Sequence, residues 1–281
     1  MRAGILYNHI RKDERLIIAE AERRGMEIVL LRDEEISFPL ESNPYEVDLV
    51  LERGIHHGRA LETLKILENF GVRTLNSAAC AEICGNKFLV TEALEAAQVP
   101  TPRSGIAFTR ETALQMIEEL GYPVVLKPAI GSWGTLLAKV NDRDAAEAVL
   151  DHKQKLGSYH HNVFYIQEFI DKPGRDIRVI VIGGEAVGAV LRKSAHWITH
   201  LDQGATLERC EMTTDLGSMA VSAAEAVGGE IVAVDIVESE RGYLVLEVEY
   251  TVEFSQFSPF IDEQKVAVRI VDQMQKASDI G

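Results

Sequence analysis

The sequence predicts an α/β protein in which a small, mainly parallel sheet is followed by two α+β units. Three observations carry this. Apolar runs alternate with helically spaced stretches over the first 76 residues in the order β-α-β-β-α-β, which favours parallel strands covered by helices. A glycine at 85 and a Val-Pro-Thr-Pro breaker at 99–102 interrupt that pattern. Beyond them, apolar runs come in pairs with glycines between, the mark of hairpins.

Each element has a local reason. Residues 5–7, 27–31, 47–51 and 73–76 are short apolar runs and read as strands. Residues 13–24 and 59–70 have helical spacing and end at Gly25 and Gly71, where a left-handed residue closes a helix readily. Residues 78–97 are helical, broken at Gly85. Residues 110–120 and 142–156 are helices on either side of a strand-loop-strand unit centred on Lys127. Residues 163–170 form an apolar strand, and Lys172-Pro-Gly-Arg is a turn. Residues 176–182 and 185–192 pair as a hairpin with Gly183-Gly184 at its tip. Residues 231–237 and 243–249 make another hairpin, and 213–227 and 264–276 are helices. The expected division is 1–85, 86–165 and 166–281.

Composition excludes several classes. A chain of 281 residues, 46% hydrophobic, can bury a large core. No apolar run approaches the ~20 residues that span a membrane, and the N-terminus lacks a signal-peptide pattern, so a cytoplasmic location is expected. The net charge of −15 argues against general binding to nucleic acid or anionic membrane surfaces. Three cysteines do not make a disulfide framework. Cys80 and Cys84, four apart on one helix face, read as a buried thiol pair rather than a zinc site.

The chemistry-bearing residues are dispersed. Tyr122-Pro-Val-Val-Leu-Lys-Pro-Ala-Ile-Gly-Ser-Trp-Gly-Thr-Leu-Leu-Ala-Lys139 places a lysine beside a glycine loop. Glycines let backbone N–H groups approach an anion, and lysine adds a fixed charge. The loop is either a phosphate-holding hairpin or an ordinary turn. Neither a Gly-x-x-x-x-Gly-Lys-Ser/Thr loop nor a Gly-x-Gly-x-x-Gly fingerprint occurs. Lys87 follows Gly85-Asn86, and Gln167-Glu168-Phe169-Ile170 ends a buried strand. Arg175, Arg178, Arg192 and Lys193 follow. Glu247 and Glu249, two apart on a strand, share a face, and Asp235 interrupts a neighbouring apolar strand. A lone buried carboxylate is costly unless paired or metal-bound. The trio suits Mg²⁺, a hard ion taking oxygen ligands, or salt bridges to the nearby arginines.

Lys87, the Val-Leu-Lys-Pro…Gly-Ser-Trp-Gly hairpin, Gln-Glu-Phe-Ile, Gly-Arg-Asp-Ile-Arg and the Asp…Glu strand pair resemble the ATP-grasp fold. The likeness covers residues 1–256 and is strongest to the RimK-like branch. Ile-Gly-Ser-Trp-Gly, Lys-Pro-Gly-Arg-Asp-Ile-Arg and Ser-Ala-His-Trp-Ile-Thr are similar to the LysX-type ligases of lysine biosynthesis. The resemblance implies an N-terminal Rossmann-like pre-ATP-grasp sheet, a small α+β lid and a C-terminal α+β unit. It implies ATP and Mg²⁺. It also implies an ADP-forming ligation, through an acyl phosphate, of the amine of 2-aminoadipate or glutamate to the C-terminal glutamate of a small acidic carrier protein, LysW. A homodimer or homotetramer is expected on the same ground.

The resemblance also distributes roles. Lys87 and Lys127 would hold ATP phosphates under a loop of Gly131, Ser132, Trp133 and Gly134. Gln167, Glu168, Phe169 and Ile170 would be the adenine hinge, with Asp176 and Arg178 at the nucleotide rim. Arg192 and Lys193 would be catalytic, and also the candidates for a basic patch facing the carrier. Asp235, Glu247 and Glu249 would bind Mg²⁺. His196, Trp197, Gln256 and Phe257 would face the substrate. The family pattern is broken at His200 and Glu249, where asparagines are usual, at Gln203 in place of an arginine, and at Ala205 in place of a glycine. The dipeptide Ser255-Gln256 matches neither the aminoadipate nor the glutamate type, and Phe257 leans toward the latter. Besides the carrier ligase, the sequence leaves open a related ligase with another substrate and a nucleotide-binding homologue with weakened catalysis.

Overall fold

The computed structural model describes residues 1–130, 136–156 and 163–278. Gly131, Ser132, Trp133 and Gly134 therefore lie outside the described residues. Among the described residues, no helix is long and apolar enough to cross a membrane.

The N-terminal sheet contains β1 (Arg2–Tyr7), β2 (Glu27–Arg32), β3 (Leu49–Arg53) and β4 (Arg73–Leu75), all parallel, in the order β2-β1-β3-β4. Helices α1 (Lys12–Arg23) and α2 (His57–Asn69) connect its strands. The long predicted helix is two helices. Ser77 caps α3 (Ala78–Cys84), Gly85 ends it, and Asn86 accepts from the Phe88 amide to start α4 (Lys87–Ala96). Cys80 and Cys84 lie buried with sulfurs 3.9 Å apart.

A second sheet, all antiparallel, has the order β5-β8-β6-β7 and comprises β5 (Ser104–Ala107), β6 (Val124–Pro128), β7 (Ala138–Val140) and β8 (Phe164–Glu168). Helices α5 (Arg110–Leu120) and α6 (Arg143–Leu156) join its strands, and its apolar face closes a core of its own with Leu114, Ile117, Leu126 and Ile166. The expected division between residues 165 and 166 runs through β8, whose whole length pairs within this sheet.

The third sheet has the order β11-β10-β9-β12-β13. Its strands are β9 (Arg175–Ile182), β10 (Glu185–Lys193), β11 (Thr206–Arg209), β12 (Ile231–Ser239) and β13 (Gly242–Glu249). Gly183 and Gly184 both have positive φ, as a two-residue hairpin turn requires. Helix α7 (Thr214–Ala226) covers one face. The last helix, α8 (Glu263–Ser278), returns to the N-terminal sheet, where Ile270 and Met274 share a core with Ile5 and Ile17.

Candidate active site

Strand register assembles the site. In the third sheet Arg192 stands opposite Asp176, Arg178 opposite Asp235, and Asp235 opposite Glu247. These residues form one row across four strands, on one face. A bulge between Asp235 and Ile236 shifts the β13 register, so that adjacent Leu246 and Glu247 both reach the same cavity.

The row is a network of buried, charge-assisted contacts. Arg178 grips Asp235 with two bonds of 2.7 and 2.8 Å and reaches Glu249 at 2.8 Å. Arg192 holds Asp176 at 2.7 and 2.9 Å and Asp235 at 2.8 Å. Burial opposes ionisation of Asp235, but Arg178 and Arg192 hold its carboxyl well below the usual carboxylate range. Burial pushes the Glu249 carboxyl up despite Arg178. Carboxylate oxygens of Asp235, Glu247 and Glu249 all lie within 4.8 Å of one another.

The lysines come from other elements. Lys87, on the first turn of α4, is positioned by the Asn86 cap and a 2.9 Å bond from its amide to the Ala129 carbonyl, and its ammonium meets Glu247 at 3.0 Å. Lys127 on β6 donates to Gln167 Oε1 at 2.7 Å. The Gln167 amide nitrogen donates to Ser104 and to the Tyr165 hydroxyl, which leaves its oxygen facing Lys127. Gln167 is thus the support of Lys127. Burial pulls the Lys127 ammonium down to about 8.

Two cavities meet at this row. A lid-side cavity of about 120 Å³ lies between the second and third sheets, with Val125, Leu137, Phe169 and Leu246 as apolar walls and Lys127 and Lys172 as cations. A larger cavity of about 340 Å³ opens on the N-terminal sheet and is lined by Arg11, His57, Tyr250, Gln256 and Phe257. Arg192, His200, Glu247 and Glu249 line both. A group bound on one side therefore faces a group bound on the other across these four side chains.

Several expected positions are corrected. Lys193 is adjacent to Arg192 on a strand and so points to the opposite face. It pairs with Glu208 at 3.0 Å with more than half of its side chain exposed, outside both cavities. Arg192 is buried and paired, so these two residues form no basic surface patch. His196 lies outside both cavities with its ring against Trp197, and Trp197 lines the lid-side cavity beside Phe169 rather than the larger one. Arg178, expected at the nucleotide rim, lies in the acidic row, bonded to Asp235, and lines the larger cavity. The Glu168 carboxylate is held by the Arg103 amide and guanidinium and by Arg241, so only its backbone is left to act as a hinge. Sequence reasoning missed Lys172 and Thr199. They bond each other at 2.7 Å, and Thr199 also donates to Asp176. Lys172 opens a motif read only as a turn and a family mark, and Thr199 closes one read only as a family mark.

The donor set fits a nucleoside triphosphate and a hard divalent ion. Val125, Leu137, Phe169 and Leu246 offer apolar walls that suit a base, Lys127 and Lys172 offer ammonium groups that suit phosphates, and three carboxylates converge within reach of one cation. Among the described residues, Asp235, Glu247 and Glu249 are the group able to hold a metal in this way. Antiparallel sheets closing on such a cavity, joined to a parallel N-terminal sheet, define an ATP-grasp enzyme.

Comparison with known proteins narrows the class. Residues 84–274 match the RimK-like ATP-grasp domain, and residues 3–83 match the LysX preATP-grasp domain. The chain belongs to the RimK-like ATP-grasp ligases, within the group that carries a LysX preATP-grasp domain. It is 32% identical over 254 residues to the alpha-aminoadipate–LysW ligase LysX of Sulfurisphaera tokodaii, covering 88% of this chain and 89% of that one. It is 30% identical over 260 residues to the glutamate–LysW ligase ArgX of Sulfolobus acidocaldarius, covering 92% of both. A crystal structure of a RimK domain ATP-grasp protein from Sphaerobacter thermophilus superposes with a TM-score of 0.80 at 26% identity, over 98% of this chain and all of that one.

Proposed function

We propose that this ligase joins the amino group of 2-aminoadipate or glutamate to the C-terminal glutamate of a small acidic LysW-like carrier protein, in the cytoplasm, with ADP and phosphate as products. The observation that carries this reading is the meeting of two cavities at Arg192, His200, Glu247 and Glu249. In this reading ATP binds on the lid side, with its phosphates toward the shared wall, and the carboxylate and amine occupy the larger cavity. The parts of the chain are the N-terminal sheet through about residue 85, the lid, and a C-terminal unit that starts after β8.

In the proposed reaction a carboxylate oxygen of the carrier attacks the γ-phosphoryl group, and ADP leaves. The amine nitrogen then attacks the acyl carbon, phosphate leaves, and the amine loses a proton. Lys127 and Lys172 neutralise phosphate charge from the lid side, and Lys87 does so from the helix start. Arg192 sits on the shared wall, where negative charge builds up in the first step. Mg²⁺, held by Asp235, Glu247 and Glu249, would shield the phosphates. The adenine hinge is the backbone of Gln167 to Ile170. His200, neutral because burial and Arg192 lower its pKa, is placed to take the amine proton.

The departure from the family pattern at Glu249 is compensated within the acidic row. Glu249 adds a negative charge, but Arg178 meets it at 2.8 Å. The test is an assay of ADP release with purified carrier, comparing 2-aminoadipate with glutamate and following carrier mass. A mass gain of one amino-acid residue with either amine is expected. ADP release without a mass gain would favour a different amine or acid, and ATP binding without ADP release would favour a non-catalytic homologue.

A further inference from the structure

The larger cavity lies at the carboxyl ends of β1 and β3, where the strand order β2-β1-β3-β4 reverses. The crevice outside such a switch point is where open α/β sheets place ligands. The residues that follow these two strands, Arg11 and Gly54, Ile55 and His57, supply that wall. Arg178 and Arg192 also line the cavity, but both are held in the acidic row. Arg11 belongs to a different network.

One edge of the Arg11 guanidinium is fixed. Its Nε and one terminal nitrogen donate to Glu14 at 3.1 and 2.9 Å. Glu14 is fully buried and is held in turn by Arg53 at 2.9 Å. The other terminal nitrogen donates to Glu253, also a wall residue. Glu253 is of another kind from Glu14. Its side chain is 37% exposed, and its second oxygen takes the amide of Gln256 at 3.1 Å. Arg11 is thus aimed into the cavity by a rigid carboxylate and met there by an exposed one. An exposed carboxylate can return to water with little desolvation cost, so an incoming carboxylate can take its place. Guanidinium geometry favours that exchange.

We propose that Arg11 determines specificity by binding a substrate carboxylate that takes no part in the reaction, in exchange for Glu253. This rests on the carboxylate–amine ligase reading above. Two non-reacting carboxylates differ between substrates and can set specificity: the side-chain carboxylate of the amino acid, and the carboxylate of the carrier's terminal glutamate that is not activated. The amino acid's α-carboxylate is common to every amino acid and lies outside the proposal.

The test measures kcat/KM for glutamate against glutamine, and for a carrier ending in glutamate against one whose terminal α-carboxylate is an amide. It uses the wild-type enzyme, Arg11→Gln and Arg11→Lys. One of the two preferences for the carboxylate should fall about 10- to 100-fold in Arg11→Gln, the scale of one charge-assisted contact, chiefly through KM. Arg11→Lys should fall less. The preference that falls identifies the source of the carboxylate. Both preferences unchanged in a variant that melts normally and binds a non-hydrolysable ATP analogue would overturn the proposal. If Arg11→Gln fails to fold, the same criteria apply to Arg11→Lys. If wild-type enzyme forms no ADP with any pairing, the ligase reading has failed. Calorimetric titration of glutamate and glutamine into the analogue-bound enzyme then decides separately. Tighter binding of glutamate, or of the carrier over its terminal amide titrated in the same way, that is lost in the Arg11 variant upholds the role of Arg11, and equal binding within both pairs overturns it.

Discussion

Lys127 stands four residues before a glycine-containing stretch in the sequence, and its charge is set by burial rather than by sequence. In the fold its pKa is lowered from 10.5 to about 8, because an ammonium loses solvation there. Between these values the unfolded chain binds more protons than the folded one, so stability rises with pH across that window. Below about 8 both states are protonated and the penalty is complete. Triphosphate oxygens beside Lys127 would restore the charge. Nucleotide binding measured just above this pKa should therefore take up a proton. Calorimetry in two buffers of different ionisation enthalpy reads that uptake, and Lys127→Met should abolish it. An uptake of zero in the wild-type protein would remove Lys127 from the phosphate site.

At the scale of elements, Asn76 shows how the sheets are locked. It follows β4 and is buried. Its amide nitrogen donates to the carbonyls of Ile231 and Tyr250 at 2.7 and 2.8 Å, and its oxygen accepts from the amides of Glu230 and Ile231 at 2.8 and 2.9 Å. One side chain thus satisfies backbone groups of two chain segments in the third sheet. Asn76→Ala leaves them buried without partners and should cost about 3–5 kcal/mol. A chemical denaturation midpoint reads this loss, and a change under about 1 kcal/mol would show that water replaces the amide. None of this was legible in the sequence, because the partners lie more than 150 residues away. The legible elements were those with local signals: the Gly183-Gly184 turn, the Gly85-Asn86 break and the alternating N-terminal strands. β5 and β11 were missed. They are four-residue edge strands, and Ser-Gly-Ile-Ala carries little β pattern. The acidic row was partly legible, since Glu247 and Glu249 share a face by period. The same period rules out placing Arg192 and Lys193 in one site. Cross-strand register, which pairs Arg178 with Asp235, was not available from the sequence.

At the scale of the whole molecule, the first and last elements share one core. Ile5 and Ile17 pack in the same cluster as Ile270 and Met274, while the lid closes a separate one. The two ends of the chain therefore meet in one core beneath the larger cavity, and the second sheet closes a core of its own. Charge acts at the same scale. The chain carries a net −15, and the cavity arginines Arg178 and Arg192 sit in ion pairs, with Lys193 turned to the other face. The proposed acidic carrier then meets long-range repulsion with no basic patch from Arg192 and Lys193 to offset it. Salt should relieve this, because the Debye length shortens to about 10 Å at 0.1 M. The kcat/KM for carrier should rise about two- to fivefold as salt goes from about 20 to about 200 mM, while kcat stays constant. Repulsion acts on encounter and not on the bound complex, which is why the effect belongs in kcat/KM. A fall over the same range would require a basic docking surface elsewhere on the molecule, which charge-reversal of exposed lysines and arginines around the cavity mouth would then locate.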